Sequence, residues 1–212
     1  MLLLAAGPVL AGPQLALASQ LYDEAYAAHT ASPPDTNKAL SLYLRVLELE
    51  PELYGPLLKA GMLYYGKEQY GKAKSLFGQA VRSARENHPD KPAFEAEAAN
   101  ALGVCYQKEG RLDEAGKWFR AALKKAPGLV EAHYNLINLY LALDEGEKAG
   151  AALARAEEQA PSRRYDIIKG RIKGNEGWSA GSPMWIKVIV AGIGGGLVVY
   201  LLLRKLKVGA SA

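Results

Sequence analysis

A single cysteine, Cys105, in a chain of 212 residues excludes an internal disulfide framework and any multi-cysteine zinc or iron–sulfur site. Histidine is almost as scarce. His29, His88 and His133 stand far apart and form no H-x-x-x-H pair, and His133 has no Ser or Cys with Asp nearby to suggest a triad. Glycine is plentiful at 22 residues, yet there is no G-x-G-x-x-G and no phosphate-cradling G-x-x-x-x-G-K-[ST]. These gaps remove metal, redox, nucleotide and hydrolytic chemistry, so the expectation is a non-enzyme without cofactor or metal. With 50% hydrophobic and 23% charged residues the chain still has the composition of a folded protein.

A formal net charge of +4 hints at nucleic acid, but the charge is unevenly placed. From Arg163 onward nine Lys and Arg face only Asp166 and Glu176, a net of +7. Residues 1–162 hold 17 basic and 20 acidic side chains, a net of −3. The body is acidic and the basic excess flanks an apolar segment, which suits anionic lipid headgroups and not a phosphate backbone. No nucleic-acid partner is expected.

That apolar segment, Met184 to Leu203, reads MWIKVIVAGIGGGLVVYLLL. Twenty residues of helix span about 30 Å, the thickness of a bilayer core. Its one charge, Lys187, lies near the edge, and Trp185 and Tyr200 stand near the two interfaces. The spacing predicts a single transmembrane helix at 184–203 followed by a basic tail, 204–212. Within it, Ala191/Gly195 and Gly192/Gly196 set small residues four apart, which lets a second membrane helix approach; the alternative is a flexible Gly-rich anchor without a partner. At the other end, residues 1–18 form an apolar run closing on Ala16-Leu17-Ala18, the pattern of a secretory signal cleaved after Ala18. No Lys or Arg precedes the run, so an uncleaved apolar segment is the other reading. Cleavage would export the body to a periplasm-like side and leave the tail cytoplasmic, in keeping with Arg204, Lys205 and Lys207.

Between Ser19 and Pro161 no strand-like alternation occurs; Ala, Leu, Glu, Lys and Tyr recur at helical spacing, interrupted at Pro and Gly. The segment also repeats itself. Gly103, Tyr106, Ala115, Phe119, Ala122 and Pro127 return 34 residues later as Ile137, Tyr140, Ala149, Leu153, Ala156 and Pro161. Stepping back 42 residues gives Gly61, Tyr64, Ala73, Phe77 and Ala80, the eight extra residues matching the polar, Pro-containing stretch Arg85–Pro92. Ala39, Tyr43, Val46 and Pro51 match the second half of an earlier unit, which carries an irregular Ser32-Pro33-Pro34-Asp35-Thr36-Asn37 turn.

Across about 140 residues this pattern resembles the tetratricopeptide repeat. The resemblance implies an all-α solenoid of helix-turn-helix units, about four over 19–161 with the first divergent. Small Gly61, Gly103, Ala73, Ala115 and Ala149 would let paired helices approach, Tyr64, Tyr106 and Tyr140 would fill the seam, and Phe77, Phe119 and Leu153 would pack onward. Residues 162–173 are expected as a capping helix and 174–183 as a linker to the membrane.

In such repeats the first helix of each unit lines a concave groove for partner segments. The matched register places Leu58, Met62 and Tyr65, then Glu97, Asn100, Val104 and Gln107, then Tyr134, Asn138 and Leu141 on that groove. Leu58 and Met62 could equally pack against the neighbouring unit. The chaperone-peptide clamp known in the family needs a fuller basic set than Lys59, Asn135 and Asn138 provide beside Glu97 and Glu131. The expected function is a membrane-anchored scaffold that binds other proteins through the groove, as an assembly factor or accessory subunit. A tail-anchored cytosolic adaptor is the alternative. A lipid or small-ligand carrier is disfavoured by Gly66, Lys67 and Glu97 in the groove.

Overall fold

The computed structural model describes residues 12–176, and every regular element among them is an α-helix. Four helix pairs follow one another: α1 (Gly12–Thr30) with α2 (Thr36–Leu49), α3 (Tyr54–Gly66) with α4 (Tyr70–Asn87), α5 (Pro92–Lys108) with α6 (Leu112–Lys125), and α7 (Val130–Ala142) with α8 (Gly146–Gln159). Each second helix also packs on the first helix of the next pair, α2 on α3, α4 on α5 and α6 on α7. A second unit begins at Arg164, and its described part is α9 (Tyr165–Glu176). It starts and ends three residues later than the helix expected at 162–173.

Close approach within a pair depends on a glycine set against an aromatic ring. A Cβ built on Gly61 would lie 2.6 Å from the Phe77 ring, and one on Gly103 would lie 2.7 Å from the Phe119 ring. Both rings are buried, Phe119 completely, so neither can swing aside. In the last pair the glycine becomes Ile137 and the aromatic becomes Leu153, both buried. Bulk lost on one helix is regained on the other, and the pair stays filled.

The turn inside each of the last three pairs repeats as faithfully as the core. Glu68, Gly110 and Asp144 all have positive φ, at 59°, 75° and 57°. The next residue's N–H, from Gln69, Arg111 or Glu145, donates to the carbonyl of Tyr64, Tyr106 or Tyr140. This is the Schellman ending, in which a left-handed residue closes the helix by capping its last carbonyls. Only Gly110 adopts that conformation without steric cost. In the first pair Asp35 instead caps α2, its carboxylate accepting from the Lys38 N–H at 2.9 Å.

The eight-residue excess between the second and third units is not a loop. Against the 34-residue register α4 continues about one turn further, to Asn87, and α5 begins about one turn early, at Pro92. The two extra turns hold each other. Glu95, 7% exposed, accepts from Arg85 of α4 and Lys125 of α6, both at 2.7 Å. Phe94 stacks on Tyr54 with centroids 4.6 Å apart, and His88 meets Phe94 edge-on. Burial by itself would raise the Glu95 carboxyl pKa, but hydrogen bonds from Lys125 and Arg85 outweigh it and hold the group below its ordinary value.

At the N-terminus α1 runs unbroken through Ala16-Leu17-Ala18, and Ala18 is buried in a core cluster with Leu21, Ala25, Tyr43 and Leu63. The first pair therefore begins before Ser19. No helix among the described residues is long and apolar enough to cross a membrane. Residues 1–11, the 184–203 segment with Ala191, Gly192, Gly195 and Gly196, and the 204–212 tail lie outside the described residues.

Gly103→Ala should cost roughly 1–3 kcal/mol by overpacking against Phe119, whereas Glu68→Gly should gain up to about 1 kcal/mol by relieving a positive φ; thermal denaturation of both variants checks the two signs. Because the folded-state pKa of Glu95 is lowered, its stabilisation is complete above the unfolded carboxyl value and is lost as pH falls through the folded one. Glu95→Gln should therefore lower the melting temperature at neutral pH. The gap to wild type should shrink steadily as melts are repeated from about pH 5 to about pH 3.

Candidate functional site

The first helices of the last three pairs meet directly, α3 touching α5 and α5 touching α7. The second helices α6 and α8 are instead separated by a cleft. The stack is thus tighter on the α3–α5–α7 side, and the exposed residues of those helices share one face. Helix register brings nine of the ten expected groove residues to accessible positions: Met62 is 42% exposed, Glu97 is exposed, and Tyr65, Asn100, Val104, Gln107, Tyr134, Asn138 and Leu141 are half-buried. Leu58 is the correction. At 3% exposure it belongs to the core beside Tyr54 and Leu57 and offers no surface to a partner.

Two hydrogen-bonded anchors shape this face. Asn135 Nδ2 donates to Asn100 Oδ1 at 2.9 Å and so joins α7 to α5. Asn138 Nδ2 donates to the Tyr134 carbonyl of its own helix at 2.9 Å. One edge is set by Tyr54, whose hydroxyl donates to the Phe94 carbonyl at 2.9 Å and to Glu97 Oε2 at 3.1 Å. Burial, and then the neighbouring Glu97 carboxylate, push the Tyr54 phenol pKa well up, so it remains a neutral donor that holds Glu97 in place. Tyr54 and the Asn100 partner Asn135 were absent from the expected groove. Their signal was a distance of one turn or less from residues that were included.

Reactive chemistry is missing from the face. Cys105 is completely buried, and burial, followed by the nearby Glu109, pushes its thiol pKa up to about 11. It is a packing residue of α5 and not a nucleophile. Among the described residues no group of three or more His, Cys, Asp or Glu could hold a metal ion. On this face the paired helices present amides, Met62 and tyrosines, side chains suited to holding a chain.

Two family profiles, both described as tetratricopeptide repeat, match residues 58–130 and 106–172, together more than half of the chain. The chain belongs to the tetratricopeptide repeat family. A relative from Arabidopsis thaliana, the TPR repeat-containing thioredoxin TTL4, is 32% identical over 118 residues, 54% of this chain but only 16% of that protein. A solved structure, MamA 41-end from Desulfovibrio magneticus RS-1, superposes with a TM-score of 0.57 at 21% identity, covering 67% of this chain and 75% of that one. The first TPR of Spaghetti (RPAP3), bound to HSP90 peptide SRMEEVD, reaches 0.53 at 19% identity, covering 61% and 94%. At such identities the structures speak for the fold alone. The lone Cys105 cannot form the C-x-x-C pair of a thioredoxin-like site.

Proposed function

We propose that this tetratricopeptide protein is a non-enzymatic, membrane-anchored scaffold whose α3–α5–α7 face holds an extended segment of a protein partner, without cofactor or nucleic acid. The Asn100–Asn135 pair carries the reading. Half-buried side-chain amides joined across two helices still have free donor and acceptor capacity, which suits a peptide backbone. Exposed Met62 and half-buried Tyr65 add adaptable and rigid apolar contact. Glu97 and Glu131 stand on the same face, so neutral or basic partner side chains fit it better than the acidic tail bound by Spaghetti.

The anchor rests on the sequence of 184–203 and its flanking basic residues. With a cleaved signal the repeats would be exported, with the tail cytoplasmic, and would serve the assembly of a membrane complex; Ala191, Gly192, Gly195 and Gly196 would pack a partner's membrane helix. One observation favours the second reading, a tail-anchored cytosolic adaptor. Cleavage after Ala18 would cut through α1 at a residue of its buried stripe.

Photo-crosslinking residues at Met62 or Val104 should capture a partner protein from native membranes, whereas the same probe at exposed Arg45 on α2 should not. Equal capture from all three would sink the groove reading. The intact mass of the native protein decides the topology: loss of residues 1–18 supports export, and retention of Met1 supports the tail-anchored adaptor.

A further inference from the structure

We infer that the cleft between α6 and α8, on the side opposite the groove, is a second docking site for an acidic, partly apolar peptide segment. The cleft holds about 500 Å³ and lies wholly within the repeat unit, with α7 as its floor. Four cations line it, Arg120 and Lys124 from α6 and Lys148 and Arg155 from α8, and no carboxylate does. Residues 1–162 carry a net charge of −3, so this concentration runs against the character of the body.

Two of the four are tethered. Arg120 reaches the Tyr140 hydroxyl at 3.4 Å, and Lys148 lies 5.9 Å from the Tyr140 ring while pairing with Glu145 at 2.7 Å. Like charges from opposite walls are thus gathered at one tyrosine. Lys124 and Arg155 make no ion pair among the described residues. Between the cations lie Leu123, Leu136 and the short side chains Ala151 and Ala152.

The repeat register explains why the cleft is open here. Position 152 corresponds to Trp118 in the preceding unit and to Leu76 in the one before. Both large residues pack against a core cluster. Alanine at the third occurrence leaves the space empty.

The layout of charge points to a peptide in preference to a small anion. Lys148 and Arg155 are two turns apart on α8, about 10 Å along the axis. Carboxylates on alternate residues of an extended chain lie about 7 Å apart on one face, a spacing that the long, flexible Lys and Arg side chains can meet. A phosphate would meet two cations only at Tyr140, where Lys148 is already paired with Glu145. Apolar walls between spaced cations suit a segment that alternates carboxylates with aliphatic side chains.

The test uses the full chain in detergent micelles and a fluorescein-labelled decapeptide of alternating Glu and Leu, followed by anisotropy, with a Lys/Leu decapeptide as control. The acidic peptide should bind saturably and more weakly as salt is raised, and any binding of the control at the acidic groove face should not depend on Lys124 or Arg155. Arg155→Glu and Lys124→Glu should each weaken binding about tenfold. Ala152→Trp, which fills the cleft, should abolish it, and Arg45→Ala at an exposed position of α2 outside the cleft should leave it unchanged. The two charge reversals alter exposed side chains, so they keep the test informative if Ala152→Trp folds poorly. Absence of saturable binding, or equal affinity in all variants, would overturn the inference. So would phosphatidylserine vesicles binding through these cations when the peptide does not.

Discussion

The contact on which this structure depends is the closeness of two helices at a glycine lying under an aromatic ring. Gly61 beneath Phe77 and Gly103 beneath Phe119 remove the one carbon that would hold the helices apart. Filling that space with a buried ring turns a pair of short helices, marginal by themselves, into a unit with its own apolar seam. Everything else is built on the pair. Once it is closed, the turn must fold back within three residues, which the left-handed Glu68, Gly110 and Asp144 accomplish at equivalent places. The outer face of the pair then presents a surface on which the next pair can stack.

Stacking makes two sides of different character. The first helices come together, so their exposed residues merge into one face whose polar groups are bonded from helix to helix, Asn135 to Asn100 and Tyr54 to Glu97. The second helices need a bulky side chain between them to close the other side. Trp118 and Leu76 supply bulk at their positions, and Ala152 does not. One face therefore offers amides and acidic groups, and the cleft opposite offers cations.

Periodicity made the fold legible before any coordinates. Tyr64, Tyr106 and Tyr140, and Ala73, Ala115 and Ala149, recur because each occupies the same place in the same local packing, and local packing leaves a regular trace in the chain. Which residues of α3, α5 and α7 reach the surface was nearly as legible, since position in a helix fixes which way a residue faces. Leu58 escaped that logic. Register alone cannot say whether a residue near the edge of a face is covered by its neighbour, and at 3% exposure Leu58 is covered. The Arg85–Pro92 stretch hid its structure for a related reason. Polar composition and two prolines suggest an interruption, but here they hold an extra helical turn on each side, stabilised by Glu95 meeting Arg85 and Lys125 from different helices.

The sequence by itself determined the helical class, the repeat length, the small residues that let paired helices approach and the expectation of apolar ends, because each is written in spacing along the chain. That Phe77 and Phe119 close on Gly61 and Gly103 of their own pair, and do not simply pack onward, was decided by the structure. The tertiary structure alone decided which amides bond to each other, that the extra eight residues lengthen α4 and α5, and that a cationic cleft opens where alanine stands at position 152. These depend on side chains from helices tens of residues apart arriving within a few ångströms. No local pattern encodes such a meeting; it follows from the whole stack once every pair has closed.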